Sequence, residues 1–135
     1  MLGISLIPTA TLSFGTPAKA QHDFRGIWAG ERMLCDGPRN RLHVYGLKRI
    51  RHPALYEGDA GYACEVLRIM GRPPVWRLQL NCITFGKGQK PRRFNAIQTL
   101  RMRDGHQWMA VTMKAKHGGG IWSDDFLRCR SLTQL

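Results

Sequence analysis

Residues 62–84 read YACEVLRIMGRPPVWRLQLNCIT and contain the strongest β-hairpin signal in the chain. Two runs of alternating side-chain polarity flank Gly-Arg-Pro-Pro, a sequence typical of a turn between antiparallel strands. A turn centred near Pro73 sets the register, and the predicted facing pairs are Met70 with Trp76, Arg68 with Leu78, Val66 with Leu80 and Cys64 with Cys82. Facing cysteines on antiparallel strands are close enough to bond, so this register predicts a Cys64–Cys82 disulfide.

The rest of the chain repeats this pattern of short alternating runs between turn signals. Asp104-Gly105 separates residues 92–103 from residues 106–115 and predicts a second hairpin, because Asp-Gly is favoured in two-residue turns. Further strands are expected at residues 24–34 and 41–50, and residues 121–129 are expected to form a last strand or a short helix followed by a strand. We therefore expect an all-β domain, a small antiparallel meander of about seven or eight strands that forms a closed or nearly closed barrel.

The strand expected at residues 41–50 alternates between an apolar and a polar face. Leu42, Val44 and Ile50 lie on the apolar face, whereas Arg41, His43 and Arg49 lie on the polar face. The five histidines show no i, i+2 or i, i+4 pairing and are interpreted as isolated surface residues: His22, His43, His52, His106 and His117. Trp28 and Trp76 fall on inward faces, which leaves Trp122, beside a triple glycine, as a possible exposed aromatic residue.

The first 20 residues have the features of an export signal. Residues 1–15 are apolar to weakly polar, and Ala18-Lys19-Ala20 has the small-x-small form of a signal-peptidase site. We therefore expect a signal peptide at residues 1–20 and a single domain at residues 21–135, with an N-terminal strand or tail as the alternative. The apolar segment is shorter than the roughly 20 residues that a transmembrane helix needs.

The chain contains four cysteines: Cys35, Cys64, Cys82 and Cys129. An even number in a short exported chain is typical of disulfides, so we expect two of them and a periplasmic or secreted location. If Cys64 bonds Cys82, Cys35 near the first strand is left to bond Cys129 in the last strand and to close the seam of the barrel. No Cys-x-x-C and no zinc-finger spacing is present, so neither a metal nor a cofactor is expected.

The charge of the chain favours anionic partners. The formal net charge is +12, with 21 Lys and Arg against 9 Asp and Glu. An anionic polymer or a partner protein fits this charge, and a basic surface without a binding role is the alternative. Lys87, Lys90, Arg92 and Arg93 form the predicted anion-binding group, and Trp122 is the best candidate for an exposed stacking surface among Trp76, Trp108 and Trp122.

No catalytic motif is complete in the sequence. His117-Gly118-Gly119-Gly120 matches an esterase oxyanion segment, but the Gly-x-Ser-x-Gly nucleophile segment that accompanies it is missing. Asp124-Asp125 is the one acidic pair, and neighbouring residues of a strand point to opposite faces. We therefore predict a non-enzymatic binding protein, with an enzyme inhibitor and a small secreted hydrolase of an anionic polymer as alternatives.

Gly26-x-Trp28 followed by Cys35 resembles the opening of lipocalin-like barrels, and in particular of the bacterial periplasmic barrels that inhibit secreted metalloproteases. The wider layout is similar to small exported proteobacterial four-cysteine proteins, in the elements Cys64-Glu65-Val66, Trp76 with Cys82, and Arg128-Cys129. The resemblance implies a barrel, an exported location and, for the inhibitor barrels, protease inhibition. It also implies a rival disulfide pairing, Cys35 with Cys64 and Cys82 with Cys129.

Overall fold

Over the residues that it describes, the computed structural model has eight antiparallel strands that follow one another in sequence order and close into a barrel. The strands are β1 Gly26–Ala29, β2 His43–Tyr45, β3 Arg49–His52, β4 Gly61–Arg72, β5 Val75–Phe85, β6 Arg93–Arg103, β7 Trp108–Ala115 and β8 Ile121–Ser131. Two 3-10 turns, Arg32–Asp36 and Arg39–Arg41, connect β1 to β2. Because β8 pairs with β1, the predicted all-β meander is confirmed as a closed barrel.

The structure describes Gly3 and residues 23–54, 59–103, 105, 107–117 and 120–131. The predicted signal peptide therefore lies outside the described residues except for Gly3, as do His22, Asp104, His106, Gly118 and Gly119. Within the described part of the chain, no helix combines the length and the apolar character needed to cross a bilayer.

The β4–β5 hairpin has the predicted register only in the half that is far from its turn. Cys64 lies opposite Cys82 and Val66 lies opposite Leu80, as expected. Beyond these pairs the expectation is wrong, since Leu78 faces Ile69 instead of Arg68, and Trp76 faces Gly71 instead of Met70. The reason is a two-residue turn, Pro73-Pro74, which shifts the pairing by one residue; a β-bulge at Leu67 absorbs the extra residue.

Both predicted disulfides are confirmed. Cys64 bonds Cys82 across the hairpin with their Cα atoms 4.0 Å apart, and Cys35 bonds Cys129 over a sequence separation of 94 residues. The second bond links the 3-10 turn Arg32–Asp36 to β8 and lies at the seam where β8 meets β1. The rival pairing, Cys35 with Cys64 and Cys82 with Cys129, is wrong.

Two of the expected strands are shorter than predicted. The first ends at Ala29 instead of residue 34, because the chain leaves the sheet and forms the 3-10 turn that carries Cys35 to β8. The strand expected at residues 41–50 is divided into β2 and β3 by a tight turn in which the Gly46 N–H donates to the Arg49 carbonyl oxygen at 2.9 Å.

That turn also reverses the predicted faces of β2. His43 and Tyr45 point into the barrel with Ile50, whereas Val44 is exposed, contrary to the expected alternation. The inward positions change from odd to even residue numbers across the turn, because the turn interrupts the two-residue period of a strand. The interpretation of His43 and His52 as surface histidines is therefore wrong, since both are buried.

Aromatic side chains close the barrel at the end where the Pro73-Pro74 turn lies; they are Phe24, Trp28 and Trp76. The indole N–H of Trp28 donates to the Phe24 carbonyl oxygen at 2.9 Å, and the Arg128 guanidinium lies 4.3 Å from the centre of the Trp28 ring. Arg128 also donates to the carbonyl oxygens of Asp23 and Arg25, at 2.6 and 3.0 Å. The N-terminal segment is thereby bound to β8.

Candidate ligand site at the barrel mouth

A cavity of about 620 Å³ opens at the end of the barrel where β5 ends and β6 begins. We call it the mouth cavity; its lining residues are Tyr62, Thr84, Arg92, Arg93, Phe94, Met113, Ala115, Lys116, His117, Gly120, Ile121 and Trp122. Small-molecule sites in proteins commonly have volumes of about 300–1,000 Å³. The mouth cavity is therefore large enough for a small ligand or for one unit of a polymer.

Three aromatic side chains form the inner surface of the mouth cavity: Tyr62 of β4, Phe94 of β6 and Trp122 of β8. All three are half-buried, because each faces inward close to the open end of the barrel. Their partners on the neighbouring strands are the buried residues His52, Cys82 and Met113, respectively. Tyr62 and Phe94 meet edge to face with their ring centroids 5.4 Å apart. A flat apolar group would find extended aromatic surface here.

Cationic side chains surround the opening of the mouth cavity. Arg92, Arg93 and Lys116 contribute permanent positive charges, and His117 lies beside them. Arg92 is bound to β5 twice: its N–H donates to Thr84 Oγ1 at 2.9 Å, and its carbonyl oxygen accepts the Thr84 N–H at 2.9 Å.

Lys116 is positioned in the same way, because its N–H donates to the Asn95 carbonyl oxygen at 2.8 Å. Hydrogen bonds to β5 and β6 therefore hold the backbone under these side chains in place. The cavity lining contains no Asp or Glu among the described residues. Since no carboxylate of the lining offsets the cations, the local field attracts anions.

The predicted anion-binding group is only partly brought together at this site. Arg92 and Arg93 line the mouth cavity, whereas Lys87 and Lys90 are exposed on the preceding connection and are not part of its lining. Trp122, expected as an exposed aromatic residue, is half-buried and lines the same cavity as the two arginines. The cation of the lining that the sequence did not indicate is Lys116, which comes from the connection between β7 and β8.

The other motifs noted in the sequence do not form an active site among the described residues. His117 of the His-Gly-Gly-Gly segment is exposed and has a left-handed backbone with φ 63°, while Gly118 and Gly119 lie outside the described residues. Asp124 and Asp125 are both exposed on β8, and Asp125 forms an ion pair with Arg103 at 3.6 Å. The described residues contain no cluster of three or more His, Cys, Asp or Glu able to hold a metal ion.

A buried polar cluster lies beneath the mouth cavity and consists of His43, Tyr45, His52 and Gln98. The Nδ1 atoms of the two histidines are 2.7 Å apart, and His52 Nε2 is 3.1 Å from Gln98 Nε2 and 3.2 Å from the Tyr45 hydroxyl. The His52 ring also meets the rings of Tyr62 and Trp122, with centroids 6.5 and 5.6 Å away. The cluster therefore supports two of the three aromatic residues of the cavity.

One arrangement of protons satisfies the hydrogen bonds of the cluster. When the Gln98 amide N–H donates to His52 Nε2, His52 carries its proton on Nδ1 and donates it to His43 Nδ1. His43 then carries its proton on Nε2. Among the described residues His43 Nε2 and Gln98 Oε1 have no hydrogen-bond partner, so the chain of bonds has an unpaired atom at each end.

Burial keeps both imidazoles neutral. It lowers the pKa of His43 from 6.5 to about 4, and it lowers the pKa of His52 well below 6.5, with the proximity of His43 as a second cause. Burial also raises the pKa of the Tyr45 hydroxyl well above 10.0. Near pH 7 the cluster is therefore a set of neutral, hydrogen-bonded groups.

Sequence reasoning missed this cluster because its members are far apart in the chain. His43 and His52 are separated by the turn that reverses the faces of the strand, and Gln98 lies 46 residues beyond His52. One signal was present: Gln98 alternates with Ala96 and Leu100, so an inward polar residue on β6 could have been noticed.

Comparison with protein-family models, with curated proteins and with solved structures finds no match for this chain. The resemblance to lipocalin-like and inhibitor barrels therefore stays an expectation. The geometry of the mouth cavity and the charge around it are the features that indicate a function.

Proposed function

We propose that the protein is a non-enzymatic binding protein whose mouth cavity receives an anionic group attached to a flat apolar or aromatic body. One observation carries the proposal: three aromatic side chains and three permanent cations surround one opening whose described lining contains no carboxylate. A free small molecule or the terminal unit of an anionic polymer has this chemistry.

The cationic and the aromatic side chains of the mouth cavity contribute to binding in different ways. Arg92, Arg93 and Lys116 attract an anion over several ångströms and can donate charge-assisted hydrogen bonds to it. Tyr62, Phe94 and Trp122 remove apolar surface of the ligand from water, at about 25 cal/mol per Å². A ligand that has only one of the two features uses only half of the site.

A hydrolase of an anionic polymer receives less support than a binding protein. His43 and His52 are 4% and 2% exposed, so a substrate could not reach them without rearrangement of the barrel. His117 is accessible, but no described residue that lines the cavity with it is a carboxylate that would orient its ring for acid–base catalysis.

We also propose that the protein functions in the periplasm or outside the cell. Its two disulfides leave no free cysteine, which is typical of proteins in oxidising compartments. Cell fractionation followed by N-terminal sequencing tests this point: a chain that begins near Gln21 in the periplasm or medium is expected, and intact cytosolic chain with free thiols would contradict it.

Calorimetric titration with naphthalene-2-sulfonate tests the ligand chemistry, with naphthalene-2-methanol as the neutral analogue. The sulfonate should bind about tenfold more tightly, the difference that one charge-assisted hydrogen bond makes. Arg92→Gln and Lys116→Gln should each weaken its binding by a similar factor. Lys87→Gln and Lys90→Gln are matched controls with the same loss of charge outside the cavity, and an equal effect in the controls would contradict the proposal.

A further inference from the structure

A second concave surface lies on the outside of the barrel, across β2 to β6, with a volume of about 770 Å³. We call it the wall groove. One row of outward-facing residues crosses four neighbouring strands in it: Arg51, Ala63, Ile83 and Arg93. Two arginine residues therefore stand at the two ends of a row whose middle positions are one small and one apolar side chain.

The distance between the two arginines follows from the sheet. Arg51 on β3 and Arg93 on β6 are three strand spacings apart, roughly 14 Å between Cα atoms at about 4.8 Å for each spacing. The Arg51 guanidinium lies 4.8 Å from the centre of the Phe85 ring, which holds it against the sheet. No ion pair within 4 Å involves Arg51 or Arg93 among the described residues.

The remaining charges of the wall groove are predominantly positive. Lys48 and Arg49 add two cations beside Arg51. Glu65 is the carboxylate of the described lining, and it lies directly opposite Arg49 in the β3–β4 pair. The described lining therefore has four cations, Lys48, Arg49, Arg51 and Arg93, against one carboxylate, and this excess of positive charge favours an anionic ligand.

The shape and side chains of the wall groove favour an acidic polysaccharide over a nucleic acid. Ala63 and Ile83 offer a flat apolar strip for the apolar face of a sugar ring, and the Asn81 amide lies beside them in the lining. Proteins that bind single-stranded nucleic acid stack the bases on exposed aromatic rings. Phe85, the ring beside this groove, is covered by Arg51.

We propose that the wall groove is a second binding site, which takes a linear polysaccharide with uronate or sulfate groups across the strip between Arg51 and Arg93. This site is distinct from the mouth cavity, although Arg93 lines both. Arg51 lines the wall groove and not the mouth cavity, whereas Arg92 and Lys116 line the mouth cavity and not the wall groove. Substitutions at these three positions therefore separate the two sites.

Binding of a heparin hexasaccharide, measured by calorimetry across a range of salt concentrations, tests the proposal. Arg51→Gln should weaken binding about tenfold and reduce the slope of log affinity against log salt by about one. Arg51→Lys should recover part of the affinity, because lysine restores the charge without the planar fork of arginine. Arg101→Gln is the matched control, since Arg101 is exposed on the outside of β6 and lines neither cavity.

The outcomes of this experiment distinguish polysaccharide binding in the wall groove from its alternatives. Equal losses for Arg51→Gln and Arg101→Gln would overturn the wall groove in favour of diffuse charge. Tighter binding of an oligothymidine of equal charge, with the same dependence on Arg51, would overturn the polysaccharide class. Loss of hexasaccharide binding in Arg92→Gln but not in Arg51→Gln would show that the polysaccharide binds at the mouth cavity instead of the wall groove. Retention in Arg92→Gln with loss in Arg51→Gln supports two separate sites.

Discussion

The Nδ1 atoms of His43 and His52 lie 2.7 Å apart in the interior of the barrel, on two strands joined by one tight turn. At this distance the two rings share one proton between them. Protonation of the accepting Nδ1 atom would break this hydrogen bond and create an imidazolium charge in a site that is almost fully buried. The pair is therefore stable only while it is neutral, and the stability of the barrel depends on pH.

Acid should destabilise the protein over a defined pH range. The pKa of His43 is about 4 in the folded protein and 6.5 in the unfolded chain, so between these values the unfolded state binds more protons. The contribution of His43 is complete above pH 6.5 and is lost as the pH falls to about 4. The loss is about 3 kcal/mol at about 1.4 kcal/mol for each unit of pKa, and His52 adds to it in the same direction.

Urea denaturation at several pH values between 8 and 4 measures this loss. The variant His43→Gln should show a weaker dependence on pH, because the buried pair no longer exists. His117→Gln, which removes an exposed histidine, should follow the wild-type curve. A free energy of unfolding that stays constant between pH 7 and pH 4.5 would contradict the neutral buried pair.

Removal of the Cys35–Cys129 disulfide should lower the free energy of unfolding by about 4–5 kcal/mol. The bond closes a loop of 94 residues, and its loss restores that conformational freedom to the unfolded chain. The double variant Cys35→Ala/Cys129→Ala, compared with wild type in urea at neutral pH, gives the value. A loss below about 2 kcal/mol would show that this bond adds little to a seam already held by the β1–β8 pairing.

Arg128→Met should destabilise the protein by about 3 kcal/mol, although it preserves much of the side-chain length. The substitution removes the hydrogen bonds to the carbonyl oxygens of Asp23 and Arg25 and the contact with the Trp28 ring. Arg130→Met is the control, because Arg130 is exposed on the same strand. Thermal unfolding should separate the two variants, and equal effects would argue against the role assigned to Arg128.

Gly26→Ala should destabilise the barrel by at least about 2 kcal/mol. Gly26 has φ +146°, and a Cβ atom there would collide with the carbonyl oxygen of Arg130 on β8. Gly30→Ala is a control from the same segment, since no atom lies within 4 Å of the position that its Cβ would occupy. Unfolding in urea should show little change for Gly30→Ala, and a similarly small effect of Gly26→Ala would contradict close packing at the seam.

The fold was more predictable than the site, and the hairpin of β4 and β5 shows why. The turn residues and the alternating polarity of this hairpin lie within about twenty residues of one another, and together they predict the Cys64–Cys82 pair. The same reasoning failed between Leu67 and the turn, because a one-residue offset can be absorbed by a bulge without disturbing the alternation on either side. At the mouth cavity, the sequence predicted Arg92, Arg93 and Trp122 as binding residues but did not indicate Lys116.

Local signals in the sequence determined the main hairpins and the Cys64–Cys82 disulfide, because turn chemistry and two-residue alternation depend on neighbours along the chain. The Cys35–Cys129 pair followed as the remaining pair of cysteines. Only the tertiary structure decided that His43, His52 and Gln98 meet inside, and that Arg92, Lys116 and Trp122 surround one opening. The physical reason is that closure of the barrel fixes which distant residues share its interior. The tight turn at Gly46 then changes which face of the chain points inward, and no local pattern records either effect.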